Sequence, residues 1–207
     1  MKLLQLLTQL LFPYQLINFI RRIMVKLHTL WISNQFKSIG DNCIIDFPIK
    51  VLGGDSIEIG NACGIGSGAV ITAWSFHNGK RYTPSIKIGH NASIGEDCHI
   101  TSINKIEIGN NVLMGKKVTI TDNSHGQVTA EELDQPPIQR VVFSKGPVTI
   151  EDNVWIGDKA TILANVRIGA NSIVGANSVV TKSVPGNCVV GGNPARITKI
   201  LRSPEEN

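Results

Sequence analysis

Aliphatic residues recur at every sixth position in the C-terminal part of the chain, beginning at Ile150 and ending at Val180. A small or short polar residue usually lies four positions after each of them. A period of six is neither the 3.6 of an α-helix nor the 2 of an ordinary strand. Three short parallel strands joined by sharp corners produce such a period, so the pattern predicts a triangular solenoid in which each hexad is one flat side.

Each hexad also predicts which side chains point inward. In the hexad I-G-A-N-S-I (168–173), the first isoleucine should fill the prism and the small Ser172 should point back inside. Glycine follows the aliphatic residue at Gly157, Gly169 and Gly175. It suits a corner that needs a positive φ or a close backbone approach, and asparagine at neighbouring corner positions tolerates the left-handed conformation.

The same phase runs through the earlier part of the chain with interruptions. The first hexads of successive turns begin at Ile39, Ile59, Ile88, Ile108, Ile150 and Ile168. Every interruption falls between the third hexad of one turn and the first hexad of the next, which is the same corner of the prism. Two of the insertions are long, at residues 73–85 and 122–147. The sequence therefore predicts about six coils with two loops leaving one edge, and one-sided insertions commonly build the binding face of a repeat fold.

The first 37 residues do not share this period. Their apolar residues recur at helical spacing and are interrupted at Pro13; they are Leu3, Leu4, Leu6, Leu7, Leu10, Leu11, Ile17, Phe19, Ile20, Ile23, Met24 and Leu27. Arg21, Arg22 and Lys26 break the apolar run before it is long enough to span a bilayer, and no signal-peptide cleavage site follows. Two interpretations remain open, a helix that caps the solenoid and a peripheral helix at the inner face of the membrane.

Composition agrees with one solenoid domain flanked by two smaller segments. The 207 residues include 20 Gly, with 17% charged and 5% aromatic residues. We divide the chain into an amphipathic helical segment (1–37), a β-helix (38–185) and a C-terminal cap and tail (186–207) that includes a short helix. The net charge of +4 comes without the aromatic and basic clusters that bind nucleic acid.

Three of the four cysteines occupy the fifth hexad position, where small inward side chains are expected. These are Cys43, Cys63 and Cys98. We predict that they are buried free thiols, which favours a reducing cytoplasm and argues against a nucleophilic cysteine or a zinc site.

Four motifs identify a family resemblance. They are V-T-I-T-D-N-S-H-G (118–126), E-D-N-V-W-I-G (151–157), A-N-S-V-V-T-K (176–182) and G-G-N-P-A-R-I (191–197). Together they resemble the hexapeptide-repeat acyltransferase superfamily, in particular the maltose and galactoside O-acetyltransferases and their polysaccharide O-acetyltransferase relatives. The resemblance covers residues 39–202. The resemblance also implies that the β-helix is left-handed. The period alone does not show this handedness, because parallel crossovers are otherwise right-handed.

His125 is the candidate general base. It lies at the start of the larger loop, and the resemblance matches it to the family's catalytic histidine. Acyl transfer to an alcohol needs a group that removes the hydroxyl proton, and imidazole titrates in the right range. Asp122, Glu131 and Glu132 are all candidates for orienting the ring, and the sequence does not rank them. His77, on the smaller loop, is retained as a candidate contact to the acceptor.

The resemblance implies that acetyl-CoA is the donor, that no metal takes part, and that the acetyl group is transferred directly in a ternary complex. The donor-contact positions that match the family are Trp155, Gly157, Asp158, Ala176, Thr181, Lys182, Arg196 and Lys199. Trp155 would wall the thioester end, and backbone N–H groups near Gly157 and Asp158 would stabilise the oxyanion.

The cations among these positions have a separate role. Lys182, Arg196 and Lys199 are expected to cluster around the phosphates of coenzyme A. Asp158 stands where relatives can carry a serine, so only its backbone amide is carried over from the family.

The expected reaction is acetylation of a saccharide hydroxyl in surface-polysaccharide biosynthesis. By resemblance, the enzyme is a homotrimer with its active sites between neighbouring prisms. An alternative is a chloramphenicol or streptogramin acetyltransferase, but that branch usually shows N-H-R-x-D where this chain has N-S-H-G-Q (123–127). Two further alternatives are a non-catalytic scaffold and a γ-type carbonic anhydrase. The anhydrase needs three metal-binding histidines, and His125 has no histidine within five residues.

Overall fold

The computed structural model of the chain describes residues 1, 2, 5, 8, 9, 13–127 and 129–202. Most of these residues wind into a parallel β-helix with three flat faces. The first face contains Ser38–Ile39, Ile57–Ile59, Ser85–Ile88, Lys105–Ile108, Val148–Ile150 and Arg167–Ile168. The second face contains Ile44–Ile45, Gly64–Ile65, Ser93–Ile94, Leu113–Met114, Trp155–Ile156, Ile173–Val174, Cys188–Gly192 and Ala195–Ile200. The third face contains Lys50–Leu52, Val70–Ala73, His99–Ser102, Thr119–Thr121, Thr161–Ile162 and Val179–Val180.

Parallel pairing places the first residue of each hexad beside its equivalent in the next coil. On the first face Ile39 pairs with Ile59, and Ile108 pairs with Ile150 across the longest insertion. Ile150 is 1% exposed, as expected for a side chain that fills the prism. The predicted phase, the number of coils and the common corner of the insertions are therefore confirmed.

Asparagines build the corner between the first and second faces. Asn91, Asn111, Asn153, Asn171 and Asn187 all have a φ between 55° and 60°. The side-chain amide of each of the first four donates to the side-chain carbonyl oxygen of the asparagine in the next coil, over 3.0 to 3.2 Å. Asparagine is suited to this corner because its short polar side chain tolerates the left-handed conformation.

Glycine after the inward aliphatic residue is required by close approach of neighbouring coils. A Cβ at Gly157 would lie 2.6 Å from the backbone nitrogen of Ala176, and one at Gly169 would lie 2.3 Å from that of Gly186. Neither glycine is among those with a positive φ. Of the two reasons considered for these glycines, close approach therefore applies.

Both long insertions form hairpins and pack against each other. The smaller loop pairs Phe76–His77 with Lys80–Arg81, and the larger loop pairs Ser124–His125 with Val142–Phe143. The Asn78 side chain donates to the Ile138 carbonyl over 2.7 Å, and the Tyr82 hydroxyl donates to the Val142 carbonyl over 2.9 Å. Short 3₁₀ turns occur at Ser33–Gln35, Gly54–Ser56, Ala130–Glu132 and Pro137–Gln139.

An α-helix, α1 (Tyr14–Ile32), precedes the first coil and begins directly after Pro13. It lies against the strand that starts the second face, where the Thr29 hydroxyl accepts a hydrogen bond of 2.8 Å from the Ile45 N–H. The helix thereby covers a strand edge that would otherwise expose its backbone. The predicted apolar positions at Leu3, Leu4, Leu6, Leu7, Leu10 and Leu11 lie outside the described residues. Among the helices of the described residues, none is long and apolar enough to cross a membrane.

The sequence predicted a short C-terminal helix, and this prediction is wrong for the described residues. Ala195–Ile200 is a strand that pairs antiparallel with Cys188–Gly192. The preceding strand continues the second face and would expose a free edge, and a segment that alternates Ile197, Thr198 and Ile200 suits pairing better than a helical turn. This hairpin therefore ends the solenoid.

The inward cysteines are free thiols, as predicted. Cys63 and Cys98 are buried, and Cys43 is partly buried. The Cys98 thiol donates to the Gly115 carbonyl over 3.2 Å, and the Cys63 thiol donates to the Gly89 carbonyl over 3.0 Å. Burial raises the pKa of Cys63, and it raises the pKa of Cys98 to about 11. A raised pKa disfavours the thiolate, so neither residue is suited to nucleophilic chemistry.

Thiol labelling tests this burial. At pH 8 we expect the native protein to react with an iodoacetamide reagent much more slowly at Cys98 than at Cys43, because Cys98 is shielded and almost entirely protonated. Peptide mass spectrometry would give the rate at each site, and labelling in denaturant serves as the control in which all four thiols react. Equal rates at Cys43 and Cys98 in the native protein would contradict the inward placement.

Candidate active site

The two loops bring three ring side chains together outside the third face. His125 lies in the hairpin strand that pairs with Val142, and its side chain is exposed. The ring centroid of His77 lies 5.7 Å from that of His125, with the two planes at 69°. The Trp74 ring lies 6.0 Å from His77 on an edge-to-face contact of 85°. His77, which the sequence kept only as a candidate contact, is therefore a direct neighbour of His125.

These rings line a cavity of about 390 Å³ between the loops and the solenoid. The third face supplies its outward-pointing side chains, among them Lys50, His99 and Thr101, and the larger loop supplies Ile138 and Val142. The cavity combines an aromatic wall, aliphatic surface and several hydrogen-bonding groups, as small-molecule sites do. In the part of the chain that the structure describes, no group of three or more His, Cys, Asp or Glu side chains could hold a metal ion.

One nitrogen of His77 is buried without a partner. Its Nδ1 makes no hydrogen bond to any of the described residues. A buried N–H without an acceptor costs more than an empty lone pair in the same place, which favours the tautomer that carries its proton on Nε2. His77 is therefore suited to donate one hydrogen bond through Nε2.

Asp122 anchors the start of the larger loop. Its side chain is fully buried and accepts hydrogen bonds from the Ser102 hydroxyl at 2.6 Å and from the Ile103 and Asn104 N–H groups at 2.9 Å each. The Asn123 side chain donates to it as well, over 3.1 Å. These contacts join the root of the loop to the previous coil, so Asp122 fixes where His125 begins to project.

The two glutamates considered for orienting the imidazole have contacts of their own. The Glu131 carboxylate accepts hydrogen bonds from its own backbone N–H and from Thr129, and these lower its pKa. One carboxylate oxygen of Glu132 accepts the Gln127 N–H over 2.5 Å. Asp122, Glu131 and Glu132 therefore all hold the shape of the larger loop.

Four of the eight expected donor-contact residues meet at the corner between the second and third faces. Trp155, Gly157, Asp158 and Ala176 line one cavity of about 360 Å³. Trp155 also lies in a row of laterally paired residues on the second face, which continues from it through Ile173 and Val189 and ends at Lys199. Three strand spacings of about 4.8 Å separate Trp155 from Lys199, roughly 14 Å along the face.

The two backbone amides considered for the oxyanion differ in availability. The Gly157 N–H donates to the Val174 carbonyl over 2.8 Å as part of the ladder between coils. Because the Gly157 N–H already has an acceptor, the Asp158 N–H is the remaining candidate for stabilising the oxyanion. The Asp158 side chain accepts the Lys116 N–H over 2.9 Å, so this carboxylate is tied to the corner.

The remaining donor-contact residues divide between two parts of the chain. Arg196 lies in the terminal hairpin opposite Gly191, on the same face as Trp155 and Lys199. Thr181 and Lys182 directly follow Val179–Val180, at the corner between the third and first faces from which the two loops also project. Within one chain the three cations are thus split between two corners, with Lys182 on the same edge as His125.

Sequence reasoning did not identify several side chains of the cavity. Lys50 and His99 each come directly before an inward aliphatic residue, so the hexad phase predicts that they point outward. What it could not predict is that the loops cover this part of the third face, because the loop residues have no period. Trp74 was missed for the same reason, because it lies in the smaller loop, whose residues have no period.

Comparison with known proteins defines the class of protein that this fold and site represent. Residues 147–182 match the family model described as bacterial transferase hexapeptide (six repeats). Over 163 residues the chain is 34% identical to WbbJ of Escherichia coli K12, which is provisionally assigned as a lipopolysaccharide biosynthesis O-acetyl transferase. The matched region covers 76% of this chain and 79% of WbbJ.

Two solved structures show the same architecture. A maltose O-acetyltransferase from Clostridium difficile 630 is 30% identical with a TM-score of 0.53, covering 83% of this chain and 73% of that one. The hexapeptide-repeat acetyltransferase VCA0836 from Vibrio cholerae, solved with acetyl coenzyme A, is 27% identical with a TM-score of 0.54, covering 83% and 74%. The chain belongs to the hexapeptide-repeat acyltransferase family, and its solenoid is the left-handed parallel β-helix of that family.

Substitution of Asp122 tests the loop anchor. Asp122→Ala leaves a buried hydroxyl and two buried N–H groups without an acceptor, so we expect the free energy of unfolding to fall by about 3 kcal/mol. Chemical denaturation would measure the loss. Asp134→Ala, at an exposed position of the same loop, is the matched control and should change stability by less than about 0.5 kcal/mol. Equal stability of the two variants would contradict the anchoring role.

Proposed function

We propose that the protein transfers the acetyl group of acetyl-CoA to a hydroxyl of a saccharide, with His125 as the general base. The observation that carries this proposal is the position of His125 on the wall of a cavity that also holds Trp74 and His77. A sugar has an apolar C–H face that packs on an aromatic ring and a ring of hydroxyls that needs directed hydrogen bonds. The relatives named for maltose and for lipopolysaccharide O-acetyl transfer support the same class of acceptor.

The reaction is a direct transfer. Neutral His125 takes the proton of the acceptor hydroxyl as its oxygen attacks the thioester carbonyl, and the new C–O bond gives a tetrahedral oxyanion. The Asp158 N–H would stabilise that oxyanion. Collapse breaks the C–S bond, and the proton on His125 passes to the departing thiolate, giving the acetyl ester and coenzyme A. The high pKa of the buried thiols supports a mechanism without an acyl-cysteine.

His77 would bind the acceptor in this mechanism. Its buried Nδ1 leaves Nε2 as the nitrogen that can meet a ligand, and the favoured tautomer carries the proton there. A hydrogen-bond donor at this position suits a hydroxyl oxygen, so His77 supports an acceptor that brings a hydroxyl into the cavity.

We also propose that the active enzyme is a homotrimer whose sites lie between chains. The support is the separation of the two half-sites. The two loops and the N-terminal coils of the third face line the His125 cavity. The Trp155 cavity instead opens at the corner between the second and third faces. Lys182, on the edge that carries the loops, is likewise separated from Arg196 and Lys199. A neighbouring copy would bring the two half-sites together.

We propose that helix α1 rests on an anionic membrane surface on the cytoplasmic side. Ten large apolar or aromatic side chains of this helix are between 43% and 78% exposed, namely Tyr14, Leu16, Ile17, Phe19, Ile20, Ile23, Met24, Leu27, Leu30 and Trp31. The helix contains no acidic residue. Arg21 pairs with Asp46 of the solenoid, and Arg22 and Lys26 lie among the apolar residues of the helix. Apolar surface combined with positive charge alone is the character of an interfacial helix, and it complements anionic lipid.

Vesicle sedimentation tests the membrane contact. We expect the protein to sediment with vesicles that contain phosphatidylglycerol and to stay in solution with neutral phosphatidylcholine vesicles. Phe19→Glu combined with Leu27→Glu should abolish binding, because both side chains are exposed and would place charge at the lipid boundary. The matched control is Leu113→Glu, an exposed leucine on the solenoid. Full binding by the helix variant would refute the proposal.

Release of coenzyme A measures the proposed chemistry. Wild-type protein should release the thiol only when a saccharide is present, and His125→Ala should lower the turnover number by about 10² to 10⁴, the usual contribution of a general base. His90→Ala is the matched control, because His90 accepts the Asn61 N–H at a corner of the solenoid and does not line the cavity. Turnover of His125→Ala equal to that of wild type would contradict the assignment of His125 as the general base.

A further inference from the structure

The cavity beside His125 contains positive charge without any negative charge to balance it. Its described lining includes Lys50, His77, His99 and His125, and no aspartate or glutamate. Sites for neutral sugars need hydrogen-bond acceptors as well as donors, and carboxylates are the strongest acceptors among side chains. The acceptors in this cavity are neutral groups, such as the Thr101 hydroxyl and the Asn123 amide, and its described lining includes a lysine without a carboxylate.

Among the described residues Lys50 has no carboxylate partner, in contrast to four other lysines of the solenoid. Lys37 and Lys87 form ion pairs with Glu58, Lys105 pairs with Glu107, and Lys116 pairs with Glu96. Lys50 makes no ion pair with any residue that the structure describes. Lys117 and Lys159 are likewise unpaired among the described residues, so what distinguishes Lys50 is its position on the wall of the cavity, where it is available for a ligand.

The register of the third face sets the position of this cation. Lys50 pairs laterally with Val70, and Val70 pairs with His99, so the three side chains form one outward row that spans two strand spacings, about 10 Å. The row lies on the floor of the cavity, and His125 and His77 lie on the loops above it. A ligand that fills the cavity would therefore contact the row at one end and the base at the other.

Burial and the positive charge of the neighbouring Lys50 both affect the pKa of His99. Burial lowers the pKa of His99, and the positive charge of Lys50 lowers it further. The ring at this position is therefore held neutral and can offer one hydrogen bond without adding charge. Facing the lysine are hydroxyls of the third face such as Thr72 and Thr101, and of the loop side chains beside it none is acidic among those described.

We propose that the acceptor saccharide carries an anionic group, a carboxylate or a phosphate, which Lys50 binds while the reacting hydroxyl meets His125. This inference rests on the proposed function and adds a substrate class to it. A charge-assisted hydrogen bond between Lys50 and the anion fixes the orientation of the sugar in the cavity. The distance between the Lys50 row and the loops then selects which hydroxyl can reach the base.

Matched acceptors test the proposal. Initial rates of coenzyme A release would be compared for galacturonate against methyl galactoside and for glucuronate against methyl glucoside, with glucose 6-phosphate to separate phosphate from carboxylate. We expect kcat/KM for an anionic member to exceed that of its neutral partner by about tenfold or more, since one charge-assisted hydrogen bond is worth roughly that factor. A neutral sugar used as well as its anionic partner, with phosphate also giving no preference, would overturn the proposal.

Variants of Lys50 assign the preference to this residue. Lys50→Gln should lower kcat/KM for the anionic acceptor by about tenfold more than it lowers kcat/KM for the neutral acceptor, mainly through KM. Lys50→Arg should keep most of the preference, because it retains the charge. Lys105→Gln, which removes a paired lysine on the first face, is the matched control and should have no effect. An equal loss with both kinds of acceptor in Lys50→Gln would reveal a structural role and contradict the proposal.

A binding measurement separates failure of this inference from failure of the proposed function. Saturation-transfer NMR would detect galacturonate and methyl galactoside on the wild-type protein and on Lys50→Gln without any reaction. If no sugar is acetylated but galacturonate binds in a Lys50-dependent way, the anionic site stands and the acetyl transfer fails. If sugars are acetylated but binding and rate are indifferent to the charge and to Lys50, the anionic site fails and the acetyl transfer stands.

Discussion

Parallel pairing between coils is the constraint on which the rest of the molecule depends. Each inward aliphatic residue must lie beside its equivalent in the next coil, because the narrow prism is filled by one column of such side chains on each face. A strand therefore has no room for an extra residue, and insertions are confined to corners. In this chain all long insertions fall at one corner, between the third and first faces. That restriction is what brings His77 and His125, 48 positions apart in the sequence, into ring contact.

The two edges of the third face have separate tasks in this account. At one edge the loops and the Lys50 row surround the cavity that would hold the acceptor. At the other edge, the corner at Asp158 and the row from Trp155 to Lys199 would hold the donor. The two edges lie apart within one chain, so in the proposed trimer the geometry of transfer would depend on how a neighbouring copy aligns its edge. The choice of acceptor would depend on residues that the loops cover.

The hexad phase predicted the coils, their register and the common corner of the loops because each hexad repeats the same local environment. The inward cysteines follow from the same phase. The contact between His77 and His125 could not be predicted, since it depends on how two aperiodic loops pack across two coils. The role of Asp122 was missed for a related reason, because its partners Ser102, Ile103 and Asn104 lie one coil below. A short helix was expected within 186–207, whereas Ala195–Ile200 is a strand, and its β-branched residues are typical of one.

A structure of the protein with coenzyme A bound tests the central claim most directly. We expect the pantetheine arm to lie along the corner formed by Trp155, Asp158 and Ala176, and the thiol to point toward the His125 imidazole of a neighbouring copy at hydrogen-bond distance. A thiol directed away from every His125, or an arm that lies on another face of the solenoid, would contradict the account.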